Sequence, residues 1–299
     1  MNYTTLISAK QLQHLMTGGQ PLRVFDCSFE LMQPHAGKQR YLASHIPGAV
    51  YADLETALSA RHGVLGAHGV LTAKGADAPA SGGRHPLPNR EKFATWLSSV
   101  GMGNEMQAVV YDRNGANYCG RLWWMLKWAG HENVAVLDGG LQAWQAAGCT
   151  LNSGEEPAHF QSSFLTGPER ARLVDAATVA SELGRTTQTL IDARAAARFK
   201  GEIEPLDPVA GHIPGALNRP FGMNLTPEGK FKPVDQLKAE FAALLGQRDP
   251  ATVVHHCGSG VSALPNLLAM ELAGLGRSAL YAGSWSDWCQ DMNRPMAQG

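Results

Sequence analysis

Short β-branched runs alternate with helical stretches along the chain. Val134-Ala135-Val136-Leu137 runs into Asp138-Gly139-Gly140, and Thr252-Val253-Val254 runs into His255-His256-Cys257. After Cys257, the residues Leu264, Leu267, Leu268 and Leu272 fall at i, i+3, i+4 and i+8, one face of a helix. Strand–loop–helix units repeated in this way predict an α/β fold, with a mostly parallel sheet flanked by helices.

The pattern occurs twice. A first block reads RVFDCSFE, YLASHIPGAVYADLE, AVVYDRNGANYCGRLWWMLKWAG and VAVLDGGLQAW; a second reads TLIDARAAARF, GHIPGALNRPF, ATVVHHCGSGVSALPNLLAMELAG and SALYAGSWSDW. Asp26 answers Asp192, His45 to Ala49 answers His212 to Ala216, and Trp144 answers Trp288. A single duplication is too short for a solenoid. It predicts two copies of one domain, 1–151 and 169–299, joined by the polar, Gly- and Pro-bearing linker 152–168. Residues 59–83, rich in Gly and Ala, read as a long surface insertion in the first copy. The run Leu122 to Trp128 carries three tryptophans and is expected to serve packing.

Composition narrows the function classes. The chain has 299 residues, 44% hydrophobic and 17% charged, with a net charge of -1. No basic field exists to draw in a nucleic acid or an anionic membrane. No apolar run of about 18 residues predicts a membrane span. The N-terminus lacks the pattern of a secretory signal. Five scattered cysteines fit free thiols in a reducing, cytoplasmic setting. No nucleotide, flavin or metal motif is present, so no cofactor is expected.

Duplicated domains share what the fold needs, so a difference between them is a candidate for function. At the equivalent strand end the first copy has Asp112-Arg113-Asn114-Gly115, and the second has Cys257-Gly258-Ser259-Gly260-Val261-Ser262-Ala263. Gly258 and Gly260 allow turns closed to other residues. A loop of this kind, leading into a helix, can aim successive N–H groups at one point and form an anion-binding nest. Such a nest stabilises negative charge on a cysteine sulfur at its mouth. The bland alternative is a small buried core cysteine, and it is the preferred reading for Cys27, Cys119, Cys149 and Cys289. His256-Cys257 also looks like the start of a phosphatase loop, His-Cys-x5-Arg. The arginine of that loop is replaced by Ala263, so no guanidinium can grip a phosphate bidentately. A smaller species, a persulfide on Cys257 itself, suits the neutral loop better.

The paired His-Ile-Pro-Gly-Ala segments, Asp192-Ala193-Arg194 with Arg198, the Cys257 loop and Ala282-Gly283-Ser284-Trp285 together resemble the tandem-domain rhodanese superfamily over nearly the whole chain. The loop is similar to the Cys-Gly-Ser/Thr-Gly-Val-Thr-Ala loop of its mercaptopyruvate-type sulfurtransferases. It lacks the basic residues usual in the thiosulfate type. The resemblance implies two rhodanese-like domains, the first with an inert loop and the second catalytic. It implies that sulfur moves from 3-mercaptopyruvate to a Cys257 persulfide with release of pyruvate. The sulfur then passes to cyanide or a thiol, thioredoxin included, in two nucleophilic steps.

Under the same resemblance, Ser259, His85 and Asp53 match a proton relay, and Arg198 matches the arginine that holds the donor's anionic end. Gly258, Gly260, Val261 and Ser262 would line the loop around the donor. A surface or capping acid remains open for Asp53, and a solvated loop histidine for His85. Two departures stand out. Where the family often has Glu-Pro-Arg, this chain reads Glu204-Pro205-Leu206-Asp207, which leaves Arg219 as a candidate replacement. Ser262 stands where threonine is usual, and keeps the hydroxyl. A thiosulfate:cyanide sulfurtransferase and a non-catalytic sulfur-binding module are the alternatives.

Overall fold

A computed structural model of the chain describes residues 2–60 and 78–299. These fall into two compact units. The first comprises residues up to 80, 88–170 and 227–230; the second comprises 81–87, 171–226 and 231–299.

In the first unit the elements follow in the order β1 (Leu6–Ile7), α1 (Ala9–Thr17), β2 (Leu22–Asp26), α2 (Pro34–Ala43), β3 (Val50–Tyr51), α3 (Arg90–Ser99), β4 (Gln107–Tyr111), α4 (Cys119–Trp128), β5 (Val134–Leu137) and α5 (Gly140–Ala146). The second unit repeats them: β6 (Arg172–Val174), α6 (Ala176–Ser181), β7 (Thr189–Asp192), α7 (Ala196–Lys200), β8 (Leu217–Asn218), α8 (Val234–Leu245), β9 (Val253–His256), α9 (Leu264–Leu272), β10 (Ala279–Tyr281) and α10 (Ser284–Trp288). The sheets run β1-β5-β4-β2-β3 and β6-β10-β9-β7-β8, so the same strand order occurs twice. All the pairings are parallel. Helices cover the sheets, and the central strands β4, β5, β7 and β9 are buried along their whole length, as expected of parallel strands covered on both faces.

The repeated sequence motifs are structural in both units. His45 stacks on Tyr41 at 4.2 Å between ring centroids, and its Nδ1 lies 2.8 Å from the Tyr41 carbonyl oxygen. His212 does the same with Phe199, at 3.9 Å and 2.8 Å. Ile46 and Ile213 are buried in the two cores. Asp26 accepts from the Ser28 N–H, two residues on, and Asp192 accepts likewise from Arg194, at 2.8 and 2.9 Å. Trp144 and Trp288 each donate their indole N–H to a carbonyl a few residues later, Thr150 and Pro295.

The structure adds detail to the sequence expectations. The stretch 152–168, expected as a linker, is tied along the first unit. Asn152 bridges His45, Ser162 donates its N–H to Ser98, Phe164 is buried, and Gly167 donates its N–H to Ala129. The first copy is not one continuous stretch, since residues 81–87 pack in the second unit. The insertion read over 59–83 lies outside the described residues for 61–77. Helices α4 and α9 are more deeply buried than one apolar stripe implies: all of Cys119–Trp128 and Leu264–Met270 is buried. The tryptophan run packs as expected, with Trp124 and Trp128 stacked at 5.7 Å.

Truncating Ile213 to Ala opens a cavity in the second core. It should lower the stability of that unit by about 2–5 kcal/mol, read by denaturant unfolding.

Candidate active site

The register of the sheets makes Asp112 and Cys257 equivalent. Asp26 pairs with Tyr111 in the first unit, and Asp192 pairs with His256 in the second. Each candidate residue is therefore the first after its strand. The carbonyl of each accepts from the start of the last helix in its unit, Leu141 to Asp112 at 3.1 Å and Trp285 to Cys257 at 3.0 Å. Both loops then run to a helix starting at the same offset, Cys119 and Leu264.

In the first loop the backbone wraps the Asp112 carboxylate. One oxygen accepts from the N–H groups of Asn114 and Ala116, at 2.8 and 3.1 Å. The other accepts from Tyr118 and Cys119, at 2.8 and 2.9 Å. This loop is an anion nest filled by its own side chain. The corresponding positions in the second loop are Ser259, Val261, Ala263 and Leu264.

Cys257 is 2% exposed. Its N–H donates to Ser284 Oγ at 3.1 Å, and that hydroxyl donates to the Tyr281 carbonyl at 3.0 Å. Ser284 holds a left-handed φ of 56°, an uncommon conformation for a non-glycine residue that these two bonds anchor. Ser286 donates its N–H to the Gly258 carbonyl at 2.8 Å. Gly260 has φ 72°, and a Cβ there would collide with the Ala282 carbonyl, so only glycine fits. Val261 is buried and Ser262 half-buried, while Pro265 stands in the first turn of α9.

Ser259 and His85 meet. Ser259 Oγ lies 2.7 Å from His85 Nδ1, both side chains are buried, and both belong to the second unit. The solvated-histidine alternative for His85 is thereby removed. Asp53 lies in the first unit, where one carboxylate oxygen accepts from the N–H groups of Glu55 and Thr56, each at 2.9 Å. The other accepts from the Tyr51 hydroxyl at 3.3 Å. Its described contacts are those of a capping acid.

Arg198, on α7, points at the loop. A Cβ built on Gly258 would lie 3.3 Å from Arg198 Nη1. The Arg198 guanidinium is held by Glu204 at 2.6 Å and Asp207 at 3.2 Å. Glu204 also accepts from the N–H groups of Leu206 and Asp207, which shapes the turn that stands where Glu-Pro-Arg was expected. Burial pushes the Asp207 carboxyl above its usual range; Arg84 opposes the push and Glu204 adds to it.

Arg219 has other described partners. It is 2% exposed, donates to Glu240 at 2.8 Å and to Asn224 Oδ1 at 3.1 Å, and sits 4.4 Å over the Phe241 ring. These contacts of Nε and Nη2 tie it to α8 and to the turn before it. A second guanidinium beside the loop, at a position the sequence reading did not single out, is Arg84. Its Nη2 lies 3.3 Å from the same Gly258 Cβ position, and its Nη1 bonds Asp207 at 2.6 Å. No spacing rule connects position 84 to position 258; only adjacency to His85 could have drawn attention to it.

Burial holds three of the other cysteines, Cys27, Cys119 and Cys289, toward the thiol form. All five are free thiols. Burial, aided by Asp26 and Asp112, pushes Cys27 well up; burial and Asp112 do the same for Cys119. Burial raises Cys289 to about 11. Burial likewise pushes His256, the neighbour of Cys257, below the ordinary imidazole range, against the pull of Asp192 at 3.8 Å. No helix of the described residues is long and apolar enough to cross a membrane.

Asp112→Ala would leave four main-chain donors without their acceptor. It should cost on the order of 3 kcal/mol in the first unit, measured by denaturation. Glu240 offers a pH test. Burial pushes its carboxyl up, but hydrogen bonds from Lys232, Arg219 and Gln236 outweigh this and bring it down to about 2. The stability it adds is present above the ordinary carboxylate range and is lost as pH falls through that range toward 2. Glu240→Gln should therefore destabilise the second unit at neutral pH, with the gap to wild type narrowing as the pH falls below about 4.5.

A profile of the rhodanese-like domain matches residues 8–147 and 175–291. A Pseudomonas aeruginosa protein described as a probable 3-mercaptopyruvate sulfurtransferase is 44% identical over 305 residues, covering 100% of both chains. The thiosulfate sulfurtransferase of Bos taurus is 31% identical, covering 96% of this chain and 92% of its own. A crystal structure of a 3-mercaptopyruvate sulfotransferase from Escherichia coli superposes with a TM-score of 0.76 at 32% identity, over 95% of this chain and 100% of that one. With two matched domains spanning most of its length, the chain belongs to the rhodanese family and is a sulfurtransferase, an enzyme taking sulfur from a small-molecule donor to an acceptor.

Proposed function

We propose that the protein transfers sulfur from 3-mercaptopyruvate, through a persulfide on Cys257, to cyanide or a thiol acceptor such as thioredoxin, in the cytoplasm. The observation that carries this reading is the Ser259–His85 contact at 2.7 Å inside a Cys-Gly-Ser-Gly-Val-Ser-Ala loop. Breaking a carbon–sulfur bond needs proton movement, and a hydroxyl paired with an imidazole beside the nucleophile can supply it. The 44% identity to the Pseudomonas protein supports the same donor.

The steps balance as follows. The Cys257 thiolate attacks the donor's thiol sulfur, forming the sulfur–sulfur bond. The donor's carbon–sulfur bond breaks, and its electron pair leaves with the pyruvate enolate. The Ser259–His85 pair takes the donor's thiol proton and returns it to the enolate carbon. The products are pyruvate and a Cys257 persulfide anion. Main-chain N–H groups of the 258–262 loop stabilise the outer sulfur's charge. Arg198 holds the donor carboxylate. Cyanide or a thiolate then attacks the outer sulfur and regenerates the Cys257 thiolate. Asp53 enters as a positioning acid for the relay, on resemblance alone.

Pyruvate release from 3-mercaptopyruvate, compared with sulfite release from thiosulfate, tests the donor. The expected kcat/KM favours mercaptopyruvate; the reverse would make the protein a thiosulfate sulfurtransferase, in line with the Bos taurus relative. Cys257→Ser should abolish transfer from either donor, and no adduct of about 32 Da (one sulfur on a reactive thiolate) should form on that variant. Wild-type enzyme that gained no such adduct would instead be a binding module.

A further inference from the structure

Two guanidinium groups converge on the residue that follows the nucleophile. A Cβ at Gly258 would lie 3.3 Å from Arg198 Nη1 and 3.3 Å from Arg84 Nη2. Glycine leaves that space open, so the two cations reach the backbone of the loop beside Cys257. Arg84 comes from residues 81–87, within the second unit. Its own N–H donates to Ser286 Oγ at 2.9 Å, and its neighbour His85 meets Ser259. One dipeptide thus delivers both a proton carrier and a cation to the loop. A second observation points to a ligand. Arg84 Nε is buried and has no hydrogen-bond partner among the described residues, which is costly for a charged donor unless something else fills the site.

The two arginines are spaced by one carboxylate. Asp207 accepts from Arg84 Nη1 at 2.6 Å and from Arg198 Nη2 at 3.2 Å, and its side chain is 3% exposed. Without that acid, two guanidinium groups would repel each other. Glu204, bound to Arg198 and Arg194, is the second acid of the cluster. Arg194 is matched by Asp192 at 2.7 Å. The two remaining cations are therefore balanced by two anions, Glu204 and Asp207.

We propose that Arg84 is the second donor-binding arginine of this enzyme, and that Asp207 is a positioning residue that holds Arg84 and Arg198 apart and tunes the site to a singly charged carboxylate. The inference rests on the mercaptopyruvate reading for its substrate, but not for its anion chemistry. A balanced cluster gives a monoanion two planar donor forks without an excess of positive charge. It offers a dianion such as thiosulfate less than an unbalanced pair would. This accounts for the missing Glu-Pro-Arg arginine: the cation is supplied from a different part of the chain, and the turn supplies its spacer.

Alkylation of Cys257 separates anion binding from sulfur chemistry. Iodoacetate and iodoacetamide both lose iodide to the Cys257 sulfur, but only iodoacetate carries a carboxylate. In Arg84→Ala the ratio of the iodoacetate rate to the iodoacetamide rate should fall about tenfold or more, the loss expected for one charged hydrogen bond. KM for mercaptopyruvate should rise by a similar factor, with kcat changed less than about threefold. Arg84→Lys should recover part of both, since it keeps the charge and loses the fork. Asp207→Asn should raise kcat/KM for thiosulfate relative to mercaptopyruvate by severalfold. An unchanged alkylation ratio in Arg84→Ala, or an unchanged donor preference in Asp207→Asn, would overturn the proposal. If Arg84→Ala does not fold, the Lys variant's ratio and the Asp207→Asn preference decide it in the same way. A wild-type enzyme that releases no pyruvate would sink the donor reading alone, because the alkylation ratio still reports on the clamp.

Discussion

Buried main-chain N–H groups need an acceptor, and that requirement organises the strand–loop–helix turn of both units. In the first unit the turn supplies its own acceptor, and the Asp112 carboxylate takes four N–H groups. In the second unit the equivalent residue is Cys257, whose sulfur stands where the carboxylate branches in its twin. The proposed function has the same turn, which neutralises an acid in one copy, stabilise a charged sulfur in the other. Under the proposed function, the two loops are one electrostatic device, filled by a carboxylate in one copy and facing a cysteine sulfur in the other.

The rest of the second unit holds that loop rigid. Ser284 and Ser286 fasten Cys257 and Gly258 through the start of α10, and Ala282 presses on Gly260 where no side chain fits. The strained backbone at Ser284 is tolerated because two hydrogen bonds and full burial surround it. If Cys257 is the nucleophile, as proposed, a side chain fixed in this way loses little entropy on meeting its donor. The ion-paired cluster of Arg84, Arg198, Glu204 and Asp207 lies beside the same loop, and the proposed clamp assigns donor selectivity to it. Arg219, with equal charge, adds none there, because it is spent on Glu240 and Asn224.

Much of this was legible in the chain. The duplication, the parallel sheets, the equivalence of Asp112 and Cys257 and the loop glycines follow from periodicity and from comparing one half with the other. Ser259 and His85 were named from a resemblance, and the fold brings them together. Two features were not legible, for physical reasons. Arg219 looked available because sequence does not reveal that Glu240, one and a half helical turns into α8, would claim it. The stretch 152–168 looked like a linker because its polarity hides the backbone bonds that tie it to the first unit.

The sequence by itself determined which elements form, how often they recur and which position breaks the symmetry, because those depend on local spacing and on the chemistry of single residues. Only the tertiary structure decided that residues 84 and 85 reach a loop more than 170 positions later, and that Asp207 bridges two arginines. Those contacts depend on where long connections land once the sheet has formed. A hydrophobic pattern records which side of a strand is buried, but not which distant side chain will meet it.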